Sequence, residues 1–447
     1  MPTANHRATL VYPIAALGFA LLVGPAPGAG QTWTAGCSGV SAITQGSVKW
    51  SPTLCQEFNG PPGPPDASAW AFDLGAGGWG NKELEIYCGP PGYSGNPSQC
   101  PASFRRSTSN AYLDGDGHLV IQALKSGGHW TSARLTTKGT QNFRYGRIEA
   151  SIKIPNTTNP GIWPAFWWLG SDFPPVPWPS CGEADIMENW SPAVFHGPGP
   201  AHNLSTVHTA RTGGYGIGAV YNFPGGVAAD AGFHAYGVIW SANMIQFYVN
   251  PDPTAQSSLR PFFIVTASDL PAGDTWPFNS PAFLLANLAV GGTLGGSTEN
   301  TASPEVMTID YIRQYTPSRV AAPVLGSAPA FKVSAGATAH NTSTFTPSLA
   351  AGTGYYYFSC ATTAPKAACA IKTDDPMNKF VVNSDARPPE SVTVTVMTTS
   401  NAGDLPHISG TTPGHYTVTV YAFTEANASA GANSDADASV TIPLTVD

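Results

Sequence analysis

The residues Glu183, Asp185 and Glu188 place three carboxylates within six positions, in the segment Cys181-Gly-Glu-Ala-Asp-Ile-Met-Glu-Asn-Trp190. On a regular β-strand, side chains alternate between the two faces, so Glu183 and Asp185 share a face and Glu188 points away. A β-bulge at Ile186-Met187 would absorb one residue and return Glu188 to the shared face, and bulges are common beside active sites. The spacing therefore predicts two glutamates that face one substrate.

Two facing glutamates suit the hydrolysis of glycosidic bonds. A retaining glycosidase needs carboxyl groups about 5–5.5 Å apart, one to attack the sugar and one to protonate the leaving oxygen. The alternative is a solvated acidic edge strand, which the flanking Ile186, Met187 and Trp190 disfavour. We interpret the segment as the catalytic strand of a glycosidase.

An aromatic segment, Gly161-Ile-Trp-Pro-Ala-Phe-Trp-Trp-Leu-Gly170, precedes the acidic strand. Such a segment by itself is more often part of a core than of a binding site. Tryptophan faces stack on the apolar faces of sugar rings, however, and aromatic walls with a few polar groups are typical of ligand sites. Its position beside the two glutamates favours a sugar-binding cleft.

Five motifs occur in one order along the chain. They are Thr131–Leu135, Tyr145–Glu149, Trp163–Trp167, Gly182–Glu188 and Asn287–Gly292. This set resembles the family-16 glycoside hydrolases, and specifically the laminarinase branch of endo-β-1,3(4)-glucanases, over about residues 45 to 316. The resemblance implies a β-jelly-roll of two curved antiparallel sheets, an open cleft and a retaining double-displacement mechanism.

The resemblance also implies roles for single residues. Glu183 looks like the nucleophile, Glu188 like the general acid/base and Asp185 like the carboxylate that steadies the nucleophile. The candidates for substrate binding are Trp163, Trp167, Trp178, Trp190, His208, Asn81, Arg134 and Asn287. His208 could instead be a satisfied core histidine, and Arg134 could orient a carboxylate.

The resemblance implies no cofactor for catalysis, but family members often hold a structural Ca²⁺ ion. The candidate ligands here are Glu57 and Asp310. Carboxylate oxygens suit this hard cation. Two acids so far apart in sequence can equally have structural roles.

The composition is that of a loop-rich β protein with an uncharged partner. Charged residues make up 11% of the chain, against about 25% in an average soluble protein, and there are 48 glycines and 42 prolines. The net charge of -8 and the lack of a Lys/Arg run disfavour nucleic acid. We expect a polysaccharide, a β-glucan, as the partner of a monomeric protein.

Residues 1–30 are typical of a secretory signal peptide, with His6 and Arg7 before an apolar stretch and a small-residue segment. An uncleaved anchor is the alternative. We expect a secreted protein that is free of the membrane after cleavage. Export permits disulfides, and the spacing favours Cys88 with Cys100, Cys360 with Cys369 and, less strongly, Cys37 with Cys55. Cys181 then stays unpaired.

Short runs of alternating residues predict an all-β protein. They include Leu119–Ala123, Arg147–Ile154, Ile245–Val249 and Phe283–Val290. In Arg147–Ile154, charged and apolar residues alternate, which predicts one wet and one buried face. No stretch of comparable length has a helical period, so an antiparallel sandwich is favoured.

The composition changes after Tyr315. We predict a catalytic domain at 31–316, a linker rich in Pro, Ala, Gly and Ser at 317–330, and a smaller immunoglobulin-like β-sandwich at 331–447. Thr/Val alternation such as Ser391–Val396 supports the last domain. It has no cluster of exposed aromatic residues that would indicate carbohydrate binding.

Two further functions compete with β-glucan hydrolysis. A non-catalytic β-glucan-binding lectin of the same fold would have lost its catalytic acids, but Glu183 and Glu188 are both present. A galactan hydrolase or a transglycosylase of the same fold would differ in its cleft loops. The low Lys/Arg count disfavours sulfated galactans.

Overall fold

A computed structural model describes residues 37–45, 48–241, 244–250, 261–319, 327–334, 341–345, 354–373, 380–383, 392–398, 411–424 and 438–447. The predicted signal peptide and half of the predicted linker, residues 320–326, lie outside these residues. The described residues form two compact units. The first contains 37–40, 52–250 and 261–315, and the second contains 41–51 and 316–447.

Strands account for nearly all regular structure before residue 320. They are β1 (Ile43–Gln45), β2 (Val48–Gln56), β3 (Ala71–Asp73), β4 (Glu85–Tyr87), β5 (Ala111–Leu113), β6 (Leu119–Ser126), β7 (His129–Ser132), β8 (Arg134–Thr136), β9 (Gly146–Lys153), β10 (Ile162–Gly170), β11 (Glu183–Glu188), β12 (His202–His208), β13 (Ile217–Asn222), β14 (His234–Ser241), β15 (Met244–Asn250), β16 (Phe263–Thr266), β17 (Ala282–Val290) and β18 (Glu305–Arg319).

Helices in this part of the chain are short. The described residues contain one α-helical turn, α1 (Gly292–Gly295), and 3₁₀ turns at Gly78–Gly80, Gly213–Tyr215, Pro224–Gly226 and Ala267–Asp269. No helix among the described residues has the length and apolar character that a membrane span requires. The all-β expectation is confirmed.

Two sheets form the first unit. One has the order β16-β15-β14-β9-β18-β6-β7-β4, with β5 beside β6 and β2 beside β18. The other has the order β13-β12-β11-β10-β17-β8-β3, and all its neighbours are antiparallel. This architecture confirms the predicted jelly-roll sandwich.

The core lies between the two sheets, because alternate residues of each strand point inwards. In β10, Phe166 and Trp168 join the core while Trp163 and Trp167 lie on the opposite face. Trp168 stacks on Trp240 of β14, with ring centroids 4.7 Å apart, and so ties one sheet to the other. The free face of β10 is thereby available for a cleft.

The prediction of a wet face on β9 was wrong. Arg147, Glu149 and Ser151 are buried, and only Lys153 of the four polar positions is exposed. Arg147 Nη2 donates to Glu149 Oε2 (2.8 Å), and the Tyr248 hydroxyl donates to the same oxygen (2.7 Å). The buried charges are tolerated because they are paired and hydrogen-bonded.

The second unit has eight strands after residue 330. They are β19 (Phe331–Val333), β20 (Thr342–Phe345), β21 (Gly354–Thr362), β22 (Ala367–Thr373), β23 (Phe380–Asn383), β24 (Val392–Thr398), β25 (Gly414–Thr424) and β26 (Ala438–Val446). They form sheets of order β19-β26-β25-β21-β23 and β20-β24-β22. Both sheets contribute to one apolar core, for example Val394 and Val420. The immunoglobulin-like assignment stays a prediction.

The cysteine predictions are confirmed. Disulfides join Cys37 to Cys55, Cys88 to Cys100 and Cys360 to Cys369. Cys181 is free and buried.

Candidate active site

Strand β11, which carries the three predicted catalytic acids, contains the predicted β-bulge. Against β10, Asp185 pairs with Trp167 and Met187 pairs with Phe166, so Ile186 has no partner residue on that side. The register against β12 shifts between Asp185 and Glu188 as well. The extra residue brings Glu188 to the face that carries Glu183 and Asp185, and all three line one cleft.

Two side chains of β12 hold the bulge in place. The Ile186 carbonyl accepts hydrogen bonds from Ser205 Oγ (2.7 Å) and Asn203 Nδ2 (3.3 Å), and both residues are buried. A buried carbonyl left without a donor would cost about 1–3 kcal/mol. Ser205 and Asn203 therefore stabilise the backbone conformation on which the placement of Glu188 depends.

The three carboxyl groups are buried side by side, with exposed fractions of 8% for Glu183, 5% for Asp185 and 6% for Glu188. Burial raises the pKa of Glu183 to about 8, and Asp185 adds to that shift, whereas His208 and Arg134 lower this pKa. Burial raises the pKa of Asp185 and of Glu188 well above their usual values. Crowding in a low dielectric thus allows the site to keep a proton near neutral pH.

His208 lines the cleft and also contacts two of the three carboxyl groups. Its Nε2 lies 3.2 Å from Asp185 Oδ2 and 3.7 Å from Glu183 Oε1, and its Nδ1 lies 3.0 Å from the Gly213 carbonyl oxygen. A carbonyl oxygen only accepts, so Nδ1 carries a proton. The contact with Asp185 is then favourable when a second proton lies on Nε2 or on Asp185.

Two tryptophans of β10 form the cleft wall on either side of the acids. Trp163 Nε1 donates to Glu188 Oε1 at 3.0 Å, and Trp167 Nε1 donates to Asn287 Oδ1 at 2.8 Å. Trp178 also lines the cleft, with its ring centroid 6.0 Å from that of His208. Each predicted tryptophan except Trp190 therefore lines the cleft.

Trp190 is a correction to the set of predicted substrate-binding residues. Its side chain is 1% exposed and packs with Leu204 and Leu294 behind Trp163, with which it makes a T-shaped contact at 6.4 Å. The strand ends at Glu188, and the loop that follows packs on Trp190, whose Nε1 donates to the carbonyl oxygens of Val194 (3.3 Å) and Phe195 (3.2 Å). Trp190 supports a cleft residue and does not line the cleft.

Arg134 joins two walls of the cleft. Its Nε forms an ion pair with Asp73 Oδ2 at 2.9 Å. The guanidinium lies over the ring of Trp167 at 4.7 Å and over the ring of Trp79 at 5.1 Å. Because the planar cation stacks between two aromatic faces, it fixes both rings and adds positive charge beside the acids.

The cleft has a volume of about 530 Å³ and combines tryptophan walls with buried acids. Residues 102–313 match the sequence profile of glycosyl hydrolases family 16. The beta-glucanase of Rhodothermus marinus is 34% identical to this chain over 271 residues, which are 57% of this chain and 81% of that protein. This chain belongs to glycosyl hydrolases family 16.

Two other similar proteins are also named as β-glucan hydrolases. A glucan endo-1,3-beta-glucosidase of Cryptopygus antarcticus is 30% identical over 268 residues, 56% of this chain and 87% of that protein. The X-ray structure of an endo-beta-1,3-glucanase from Pyrococcus furiosus has a TM-score of 0.50 and 33% identity, and covers 62% of this chain and 98% of that chain. The first unit is thus a glycoside hydrolase.

Three residues of this family-16 cleft escaped the sequence analysis. Trp79 and Glu83 line the cleft, and Tyr87 lies directly behind them, fully buried. The Tyr87 hydroxyl donates to Glu83 Oε2 at 3.0 Å. The short alternating run from Glu83 to Tyr87 was the available signal, because it places these two side chains and Glu85 on one face of a strand.

A cation site in this family-16 chain was predicted at Glu57 and Asp310. Both oxygens of Glu57 accept hydrogen bonds from Arg313, each at 2.7 Å, and Asp310 is the unpaired residue of a bulge in β18. The Glu57 carboxylate is thus paired with the Arg313 guanidinium, whose positive charge disfavours a second cation beside it. The calcium site stays a prediction, and no role for it is derived below.

Among the described residues, one group of three metal-binding side-chain types lies close enough together to share an ion. It consists of Glu183, Asp185 and His208, whose ligand atoms lie within 4.8 Å of one another. Glu183 and Asp185 are predicted catalytic residues, and His208 is a predicted substrate-binding residue. We therefore keep them for substrate binding and catalysis.

Proposed function

We propose that this family-16 enzyme is a secreted, retaining endo-β-1,3(4)-glucanase that cleaves internal β-1,3 or mixed β-1,3/1,4 linkages. The observation that carries the proposal is the bulge in β11, which leaves Glu183 and Glu188 on one face of a tryptophan-lined cleft. The names of the related β-glucanases support the substrate class. Stacking on Trp163, Trp167 and Trp178 suits the flat apolar faces of glucosyl rings.

In the first step, the Glu183 carboxylate attacks the anomeric carbon, and a bond forms between a Glu183 oxygen and that carbon. The bond from the carbon to the leaving oxygen breaks, and Glu188 gives its proton to that oxygen. The raised pKa of Glu188 supports this role, because burial favours the protonated form. Arg134 and His208 oppose the burial that raises the pKa of Glu183 to about 8, so the ionised nucleophile is the minor form at neutral pH.

In the second step, Glu188 takes a proton from water, and the water oxygen attacks the anomeric carbon. The bond to Glu183 breaks, and the sugar leaves with its original β configuration. Glu183 changes from a carboxylate to an ester and back during the cycle. Asp185 and His208 lie beside it and compensate for this change of charge. The cycle restores both carboxyl groups.

Secretion is part of the proposal. Residues 1–30 have the pattern of an export signal, and the three disulfides suit an oxidising compartment. We expect N-terminal sequencing of the exported protein to begin close to residue 31.

The test is a comparison of substrates with the purified enzyme. We expect release of reducing ends from laminarin and lichenan, with oligosaccharides appearing before glucose, and little release from agarose or carrageenan. Activity on the galactans alone would show a different substrate class. Binding of laminarin with no product from any of the four would favour the lectin.

A further inference from the structure

Four side chains form a hydrogen-bonded chain beneath one end of the cleft. Trp167 Nε1 donates to Asn287 Oδ1 (2.8 Å), Asn287 Nδ2 donates to the Tyr87 hydroxyl (3.2 Å), and that hydroxyl donates to Glu83 Oε2 (3.0 Å). We call these residues the Glu83 chain. The other Glu83 oxygen, Oε1, accepts from Asn81 Nδ2 at 3.0 Å.

The chemistry of its two ends fixes the direction of the Glu83 chain. An indole N–H can only donate, and a carboxylate can only accept. The Asn287 amide must therefore turn its oxygen to Trp167 and its nitrogen to Tyr87, and the Tyr87 hydrogen must point at Glu83. A group at position 83 that donates would leave Tyr87 or Asn81 without an acceptor.

The Glu83 chain is buried, so the loss of one hydrogen-bond acceptor in it is energetically costly. Tyr87 is 0% exposed, Asn287 6% and Glu83 8%. At this depth a hydrogen bond is stronger than in water, and an unpaired donor is not rescued by solvent. Glu85, on the same strand, is also buried, and its pKa is raised first by burial and then by Glu83. Burial and the neighbouring Glu83 therefore favour the protonated form of Glu85.

Three predicted substrate-binding residues depend on this one carboxylate. Asn81 is held by it directly. Both polar atoms of Asn287 make a hydrogen bond within the protein, and through its oxygen Asn287 orients Trp167. The ring of Trp167 is then held at its nitrogen by the chain and on one face by Arg134.

We propose that Glu83 is a positioning residue that sets the affinity for glucan by fixing the Trp167 ring and the Asn81 amide. The inference rests on the proposed function, since the ligand is the same β-glucan. Glu83 acts on binding in the ground state and the transition state alike, because it holds a wall of the cleft and not the reacting atoms. Its loss raises KM and leaves kcat nearly unchanged.

The test compares Glu83→Gln with wild type on laminarin. The amide has nearly the same shape but replaces one acceptor oxygen by a donor. We expect kcat/KM to fall about 10- to 100-fold, mainly through KM, with kcat within about threefold of wild type. Glu299→Gln, the same chemical change at an exposed position outside the cleft, is the matched control and keeps wild-type kinetics.

A second variant tests whether the loss comes from the hydrogen bonds of the Glu83 chain or from a general structural effect. Tyr87→Phe removes the hydroxyl that links Asn287 to Glu83, so it gives a similar rise in KM. We expect kcat/KM of the double variant, Glu83→Gln with Tyr87→Phe, to lie within about threefold of that of the less active single variant. Both changes break the same series of hydrogen bonds, so their effects do not multiply. Losses that multiply would show independent residues and overturn the inference.

The remaining outcomes also decide the matter. A Glu83→Gln enzyme with kcat/KM within twofold of wild type overturns the inference, and so does a loss confined to kcat. If Glu83→Gln does not fold, Tyr87→Phe alone must show the KM-weighted loss. A wild type that hydrolyses another polysaccharide refutes the proposed function, and the same variants are then compared on that substrate.

Discussion

At the scale of residues, the crowded carboxyl groups reduce the stability of the folded protein by an amount that depends on pH. The pKa of Glu183 is raised from the ordinary 4.5 to about 8. Between these pH values the folded protein keeps a proton that the unfolded chain has released, so this group reduces stability as pH rises. Glu183→Gln removes the effect. We expect the Tm of Glu183→Gln, relative to wild type, to increase from pH 4.5 to pH 8.

Thermal melts at pH 4.5, 6 and 8 check this prediction. The difference should reach several °C at pH 8, since about 1 kcal/mol shifts Tm by roughly 2–4 °C in a domain of this size. A difference that is constant or shrinks with pH would show that Glu183 titrates near its ordinary value.

The acid role of Glu188 makes a separate prediction. Glu188→Gln is expected to lose about 10³-fold in kcat/KM on laminarin, because the leaving sugar oxygen needs a proton. A β-laminaribioside with a dinitrophenyl leaving group needs no proton, so the loss of glycosylation rate on it should be below about tenfold. Pre-steady-state release of dinitrophenol measures this. Equal losses on both substrates would contradict the acid role.

Much of the site could be predicted from residue types, because carboxylates and tryptophans have few uses in combination. Glu183, Asp185, Glu188, Trp163, Trp167 and Trp178 all line the cleft. Trp190 was misplaced because a tryptophan beside a catalytic strand fits a cleft and a core equally well. Glu83 was missed because its importance lies in its bond to Tyr87, which in turn bonds to Asn287, 200 positions further along the sequence.

At the scale of elements, the bulge of β11 makes a sharp prediction about deletions. Removing Ile186 leaves Glu183, Asp185 and Glu188 at alternate positions, so plain strand geometry keeps all three on one face. Removing Ala184 also leaves Glu183 and Glu188 four positions apart, but it turns Asp185 to the face opposite the two glutamates. We expect the Ile186 deletion to keep at least about 1% of wild-type kcat/KM, and the Ala184 deletion to lose at least about 10³-fold.

The two deletions are matched, since each removes one buried apolar residue from the same strand. Circular dichroism and Tm show whether both variants fold. Equal inactivity of two folded deletion variants would contradict the argument from alternation. An Ala184 deletion as active as the Ile186 deletion would show that Asp185 need not share the face of the two glutamates.

The alternation of residues along a strand correctly predicted which side chains share a face. It did not predict which other side chains bury that face. In β9 the apolar residues lie in the core as expected, yet Arg147 and Glu149 on the other face are buried as well. Their burial depends on Tyr248, about 100 positions away, whose hydroxyl contacts both side chains. A local pattern holds no information about such a partner. The bulge was predictable because its cause, the number of residues between two acids, is local.

At the scale of the whole molecule, the low charge content predicts weak salt dependence. The proposed substrate is uncharged, and the acids of the cleft are buried, so added salt screens little of the interaction. We expect kcat/KM on laminarin to change less than about twofold between 0.05 and 0.5 M NaCl. A tenfold fall over this range would indicate a charged polysaccharide as the preferred substrate.

Trapping of the glycosyl-enzyme tests the central claim most directly. An activated 2-deoxy-2-fluoro-β-laminaribioside forms the covalent intermediate quickly and releases it slowly, so mass spectrometry of peptides can locate the attached sugar. We expect one disaccharide per chain, bound to Glu183. A sugar on any other residue, or complete turnover with release of the inverted anomer, would contradict the proposed pairing of Glu183 with Glu188.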